Sequence, residues 1–201
     1  MKLITYKVKN DSGFAPNPYF GVLTLATCKP KIRSSSNVHI GDWIAGWTAA
    51  SSKYFPTPFG EEKLVYLARI SNIIPIEQYW YEFPQKRPDF SKPKTSPEYY
   101  GDNIYEPDPI ESYGFKRVDS HFHCTEENKK HDLGGKNVII CKEFYYFSAE
   151  KALEIPYDIR NGFNNVQRGH RVFEDTEKIE SFIKFVKSNK SICKYWEENR
   201  K

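Results

Sequence analysis

Between Glu82 and Tyr113 the chain places prolines at 84, 88, 93, 97, 107 and 109, and no apolar period runs through them. Proline removes a backbone donor and pushes the residue before it out of the α region, so this stretch is neither helix nor central strand. Its tyrosines and charges argue against a free linker. The reading is a long ordered loop, and loops of that length in a compact domain are usually functional or disordered. Whatever folds here is assembled from short elements around it. A second proline pair, in Gly13-Phe14-Ala15-Pro16-Asn17-Pro18, makes another rigid extended loop.

The remaining segments are short and alternate in type. Leu3 to Val8, Gly21 to Ala26, Trp43 to Trp47, Leu64 to Ile70 and Val138 to Cys141 read as strands, with Phe144 to Phe147 extending the sheet. Gly41-Asp42 before an apolar run is a hairpin-type signal. Ile76 to Trp80 reads as a short helix. Ile179, Phe182, Ile183 and Val186 fall on one helical face, with Thr176 as the expected cap. With 201 residues and no internal repeat, the expectation is one α+β domain over 1–201. It would hold a small mixed or antiparallel sheet, or a PUA-like barrel, with peripheral helices and a C-terminal amphipathic helix. Its 14 Tyr, 14 Phe and 4 Trp replace missing aliphatic bulk, so a mean hydropathy of −0.69 reflects a polar surface rather than disorder.

No apolar run approaches the roughly 20 residues a spanning helix needs, and the N-terminus returns to charge at Lys7, too soon for a signal peptide. A cytoplasmic protein with no membrane partner is expected. The four cysteines form no C-x-x-C pair, which favours reduced thiols and argues against zinc. Net charge is +4, yet residues 1–40 carry Lys2, Lys7, Lys9, Lys29, Lys31 and Arg33 against Asp11 alone. That basic stretch, with rings interleaved, either faces a phosphate or is an ordinary solvated face.

Chemistry-bearing residues gather in five segments. In Cys28-Lys29-Pro30-Lys31-Ile32-Arg33, Lys29 and Arg33 supply a point charge and a planar fork suited to phosphate, or simply solvate a strand end. Trp43, after Gly41-Asp42, reads as core, whereas Trp47 enters a polar loop and is expected to be exposed and able to stack on a base. In Tyr100-Gly101-Asp102-Asn103-Ile104-Tyr105, Asp102 and Asn103 either form the turn or read donors on a ligand beside Tyr105. Asp119-Ser120-His121-Phe122-His123-Cys124 offers His121 as an acid, a base or a donor, with Asp119 to orient it and Ser120 as a polar contact. No distant pair completes a zinc spacing, so neither metal nor cofactor is expected. Arg168-Gly169-His170-Arg171 sets guanidiniums around an imidazole. No Walker loop, dinucleotide fingerprint or deaminase signature is present.

In this order, Gly13 to Pro18, Thr24 to Arg33, Gly41 to Gly46, Gly101 to Tyr105, Asp119 to His121 and Arg168 to His170 resemble the nucleotide modification associated domain, type 2. The resemblance spans nearly the whole chain and implies a role in phage or bacterial systems that modify or sense altered bases. Residues 41 to 80 resemble, more weakly, PUA-like domains of the EVE type, which implies a small barrel whose cleft holds a flipped modified base. Three readings follow. One is a module binding a nucleotide or modified nucleic-acid base through Asn17, Lys29, Arg33, Trp47, Asn103, Tyr105, Ser120 and Arg168. Another is an enzyme on such a ligand, with His121 and His170 as acid–base groups and Asp102 or Asp119 orienting. The last is a phage–host interaction or inhibitor domain whose contact surface is the 82–113 segment.

Overall fold

Strand pairing gathers the short elements into three open sheets, seen in a computed structural model that describes residues 1–193. In chain order the strands are β1 (Leu3–Lys7), β2 (Leu23–Leu25), β3 (Trp43–Trp47), β4 (Leu64–Arg69) and β5 (Asn72–Pro75). They continue as β6 (Tyr105–Pro107), β7 (Phe115–Arg117), β8 (Asn137–Cys141), β9 (Glu143–Tyr146) and β10 (His170–Phe173). The helices are α1 (Pro30–Arg33), α2 (Ile76–Glu82), α3 (Glu126–Leu133), α4 (Tyr157–Arg160) and α5 (Thr176–Ser188). The mixed α+β class is as expected. Among the described residues no sheet closes on itself, so the barrel alternative falls. No helix there is long and apolar enough to cross a membrane.

The chain divides into two compact units. Unit 1 takes Met1–Asp11, His39–Ser71 and Cys141–Lys201; unit 2 takes Ser12–Val38 and Asn72–Ile140.

Unit 1 is built on a mixed five-stranded sheet ordered β10-β1-β3-β4-β9. β1 runs parallel to β3, with Leu3 opposite Trp43, and every other pair is antiparallel. β3 and β4 are buried on both faces up to Ala68, which explains why they read as continuous apolar runs rather than alternating ones. Gly41-Asp42 is therefore no hairpin turn. The Asp42 carboxylate accepts from the amides of Lys2 and His39, at 2.8 and 3.1 Å, and so ties the start of β3 to that of β1. The apolar stripe of α5 is buried as its spacing predicts, and Phe182 stacks on Trp47 at 5.8 Å between ring centres. The helix cap is Asp175, whose side chain accepts from the Lys178 amide, rather than Thr176.

Unit 2 holds the β2-β8-β5 sheet, the β6–β7 ladder, and α1, α2 and α3. Its core joins Phe14, Ala26, Ile74, Ile76, Tyr79, Ile104, Tyr105, Val138 and Ile140. The proline-rich stretch is ordered, as expected, by short 3-10 turns at Pro84–Lys86 and Pro97–Tyr100. Gly101 is required there. A Cβ on it would sit 2.4 to 2.5 Å from backbone atoms of Lys86, Arg87 and Pro88, a contact no side chain tolerates.

Candidate functional site

Two polar networks occupy unit 2, and they differ in access to solvent. The first is sealed. Lys86, fully buried, donates from Nζ to the main-chain oxygens of Asn17 and Val22, to Asn17 Oδ1 and to Thr24 Oγ1, all within 2.8 to 3.0 Å. Asp102 accepts from Thr24 Oγ1 and from the Tyr79 hydroxyl, each at 2.7 Å. Burial pushes its carboxyl above the ordinary carboxylate range, opposed by the charge of Lys86 and by those two hydrogen bonds. Asn103 donates to main-chain oxygens of Tyr79, Trp80 and Phe83. Asn17, Asp102 and Asn103, read from the sequence as ligand or acid–base groups, are thus buried and spent on this network. They hold the loops together and do not face solvent.

The second network opens outward. His123 places Nε2 at 3.3 Å from Cys28 Sγ and Nδ1 at 2.5 Å from Asp132 Oδ2. The buried Asp132 is held in turn by the Tyr105 hydroxyl on Oδ2 at 2.8 Å and by the Cys28 amide on Oδ1 at 2.7 Å. The exposed His131 ring approaches Oδ1 to 3.6 Å. Cys28 and His123 keep partial access to solvent. A thiol, an imidazole and a buried carboxylate in series are the parts of an activated nucleophile, its base and the group that orients the base.

Local sequence explains the placement. Cys28 follows β2, and Pro30 opens α1, where its fixed φ suits a first helical position. Lys29, preceding a proline, is kept from the right-handed helical region and takes φ 43°, ψ 47°. Cys28 itself has φ 56°, and His123 also has φ 56°. Left-handed backbone at non-glycine residues costs about 1–2 kcal/mol each, and such strain concentrates at functional sites.

Arg33 offsets part of that strain. Its Nε donates to the Cys28 carbonyl at 2.8 Å, one terminal nitrogen to the Asn137 carbonyl at 2.7 Å, and the other to the Asp132 carbonyl. Burial lowers the guanidinium pKa to about 10, against the pull of Asp132 and Cys28. The expected phosphate anchor is therefore a buried clamp. Cys28-Lys29-Pro30, read as a strand end, is the strained entry to α1, and Lys29 is half-buried in it.

On the opposite wall the Ser120 hydroxyl accepts from the Phe122 amide and its carbonyl from the Cys124 thiol, closing the turn that presents His123. Thr125 then caps α3 reciprocally with Asn128, and that helix carries Asp132.

Burial pulls the His123 pKa down, but the hydrogen bonds to Asp132 and Cys28 outweigh it and raise it to about 10. For Asp132 burial acts upward, and His123, the Cys28 amide and Tyr105 together bring it below its usual value. Tyr105 is raised by burial and by the neighbouring carboxylate. His123 is therefore an imidazolium at neutral pH, with its Nε2 within 3.3 Å of the Cys28 sulfur. The sulfur, ring nitrogen and carboxylate oxygen of Cys28, His123 and Asp132 lie within 4.8 Å of one another, so together they could hold a metal ion, and among the described residues no fourth His, Cys, Asp or Glu joins the group.

A run of rings leads away from His123. Phe14 lies 5.2 Å from it and 5.1 Å from Phe122; Phe122 meets Tyr100 at 6.0 Å and His121 at 5.2 Å. Tyr99 contacts His121 at 5.4 Å, with its hydroxyl 3.3 Å from His121 Nδ1, and Phe90 at 5.1 Å. Phe90 and His121 are exposed, Tyr99, Tyr100 and Phe122 half-buried. Asp119 is exposed.

Three sequence candidates fall in unit 1. Trp47, expected at the surface, is fully buried, because β3 is covered on both faces; it offers no stacking face. Arg168 is exposed and lines a shallow depression with Asn165, Gln167 and Arg171. His170 begins β10 opposite Tyr6.

The model of one protein family, nucleotide modification associated domain 2, matches residues 1–197. No curated protein matches the chain, and no solved structure does.

Proposed function

Because the chain belongs to the nucleotide modification associated domain 2 family, we propose that it recognises or processes a nucleotide or a modified nucleic-acid base. The supporting observation is the run of exposed and half-buried rings, His121, Tyr99, Tyr100 and Phe122, which reaches Cys28, His123 and Asp132 through the buried Phe14. Bases stack on such rings whatever their sequence, each contributing roughly 1–3 kcal/mol. His121 and Tyr99 replace Trp47 as the stacking candidates, and the exposed Lys31 on α1 replaces Arg33 as a phosphate contact. The acid–base role passes from His121 and His170 to His123. A setting in phage or bacterial DNA modification or defence belongs to the same proposal and rests on the family's association with altered bases.

Calorimetric titration of the full chain with nucleoside monophosphates and short single strands, with and without modified bases, checks this reading. Binding to at least one is expected, weakened about ten-fold or more by Tyr99→Ala. Absence of heat with every ligand overturns it.

A further inference from the structure

We propose that Cys28 is a covalent nucleophile, with His123 as its acid–base partner and Asp132 as the positioning residue. Its substrate would be a carbonyl- or amidine-type carbon of a nucleotide or base that carries a nitrogen leaving group. The substrate class rests on the nucleotide reading above; the nucleophile itself rests on geometry. Cys28 and His123 are within hydrogen-bond reach of each other, both are partly open to solvent, and both sit on left-handed backbone. The orienting carboxylate is sealed beneath them and fixed by the Cys28 amide and the Tyr105 hydroxyl. Cys124 is exposed and donates to a main-chain oxygen, and Cys141 and Cys193 are buried, the latter with its thiol raised to about 12 by burial.

In the step, the Cys28 thiolate bonds to the substrate carbon, and the π pair moves onto the attached oxygen or nitrogen. As that pair returns, the carbon–nitrogen bond breaks, and the leaving nitrogen takes its proton from His123 Nε2. A water molecule then gives a proton to the neutral imidazole and attacks the same carbon. The carbon–sulfur bond breaks, and its electron pair returns to sulfur. The sum is hydrolysis, with no change in oxidation state. An amine leaving group needs an acid that still holds its proton at neutral pH, which the carboxylate-paired imidazole supplies.

Timed alkylation with iodoacetamide, read by peptide mass spectrometry on the full chain, tests the proposal. At pH 7 Cys28 should react about ten-fold faster than the more exposed Cys124. His123→Asn should slow Cys28 about ten-fold and leave Cys124 unchanged. If that variant unfolds, the ratio of the two wild-type rates still decides. A Cys28 rate at or below that of Cys124 overturns the nucleophile. So does a Cys28 rate that becomes fast only after EDTA, which would mark a metal ligand. Repeating the reaction with saturating nucleotides separates the two readings. A fast thiol that none of them protects leaves the nucleophile standing and removes the nucleotide, whereas protection of a slow thiol does the reverse.

Discussion

At the scale of single residues, Gly135 sets the tightest constraint near the site. A Cβ there would lie 2.3 Å from Arg33 Cζ, and the guanidinium cannot retreat because three carbonyls hold it. Gly135→Ala should cost about 2 kcal/mol, seen as a melting temperature lower by several degrees. It should also slow Cys28 alkylation, since Arg33 holds the Cys28 carbonyl. His123 gives a pH signature. Its folded pKa of about 10 lies above the ordinary 6.5, so its stabilisation is complete below pH 6.5 and disappears as pH rises through 10. Asp132, lowered in the fold, contributes above its ordinary 3.8 and loses that contribution as pH falls. Thermal melts of wild type and His123→Gln should therefore differ most near pH 6 and converge towards pH 10. A gap that widens with pH would contradict the pairing.

Elements divide sharply into those that announce themselves and those that do not. β1, β3, β4, β8 and α5 bury aliphatic and aromatic side chains in runs or stripes, and such patterns are visible without a structure. α3 is the opposite case. Glu126-Glu127-Asn128-Lys129-Lys130-His131-Asp132-Leu133 has one apolar residue, so no period marks it, and what it buries is Lys129 and Asp132. Cys28 and His123 lie in segments that stand out as polar motifs, yet their partnership depends on that unmarked helix. A cap signal was present at Thr125, with Asn128 where an acidic residue or Gln is more usual. The burial of Trp47, Arg33, Asp102 and Asn103 was illegible for a related reason, because polar and aromatic residues in turns carry no sign of which side faces inward. The loops around Lys86 yield their own expectation. Lys86→Ala should lower stability by about 3 kcal/mol, measured by urea unfolding, because it leaves Asp102 buried without its opposing charge. Asp175→Ala, removing the α5 cap, should cost only about 1 kcal/mol.

For the whole molecule, the decisive fact is that the units are not contiguous in sequence. Unit 2 needs both Ser12–Val38 and Asn72–Ile140, and its sealed network takes Asn17 and Thr24 from the first piece and Lys86 and Asp102 from the second. A chain of residues 72–140 alone should show no cooperative melt by circular dichroism, and a sharp transition from it would show that the first piece is dispensable. The same arrangement governs timing. Cys28 is made early, whereas His123 and Asp132 follow 95 and 104 residues later. On a ribosome the sulfur would spend most of its synthesis as an unremarkable side chain, gaining its chemistry only when the last participant emerges. Incomplete copies would then be chemically harmless.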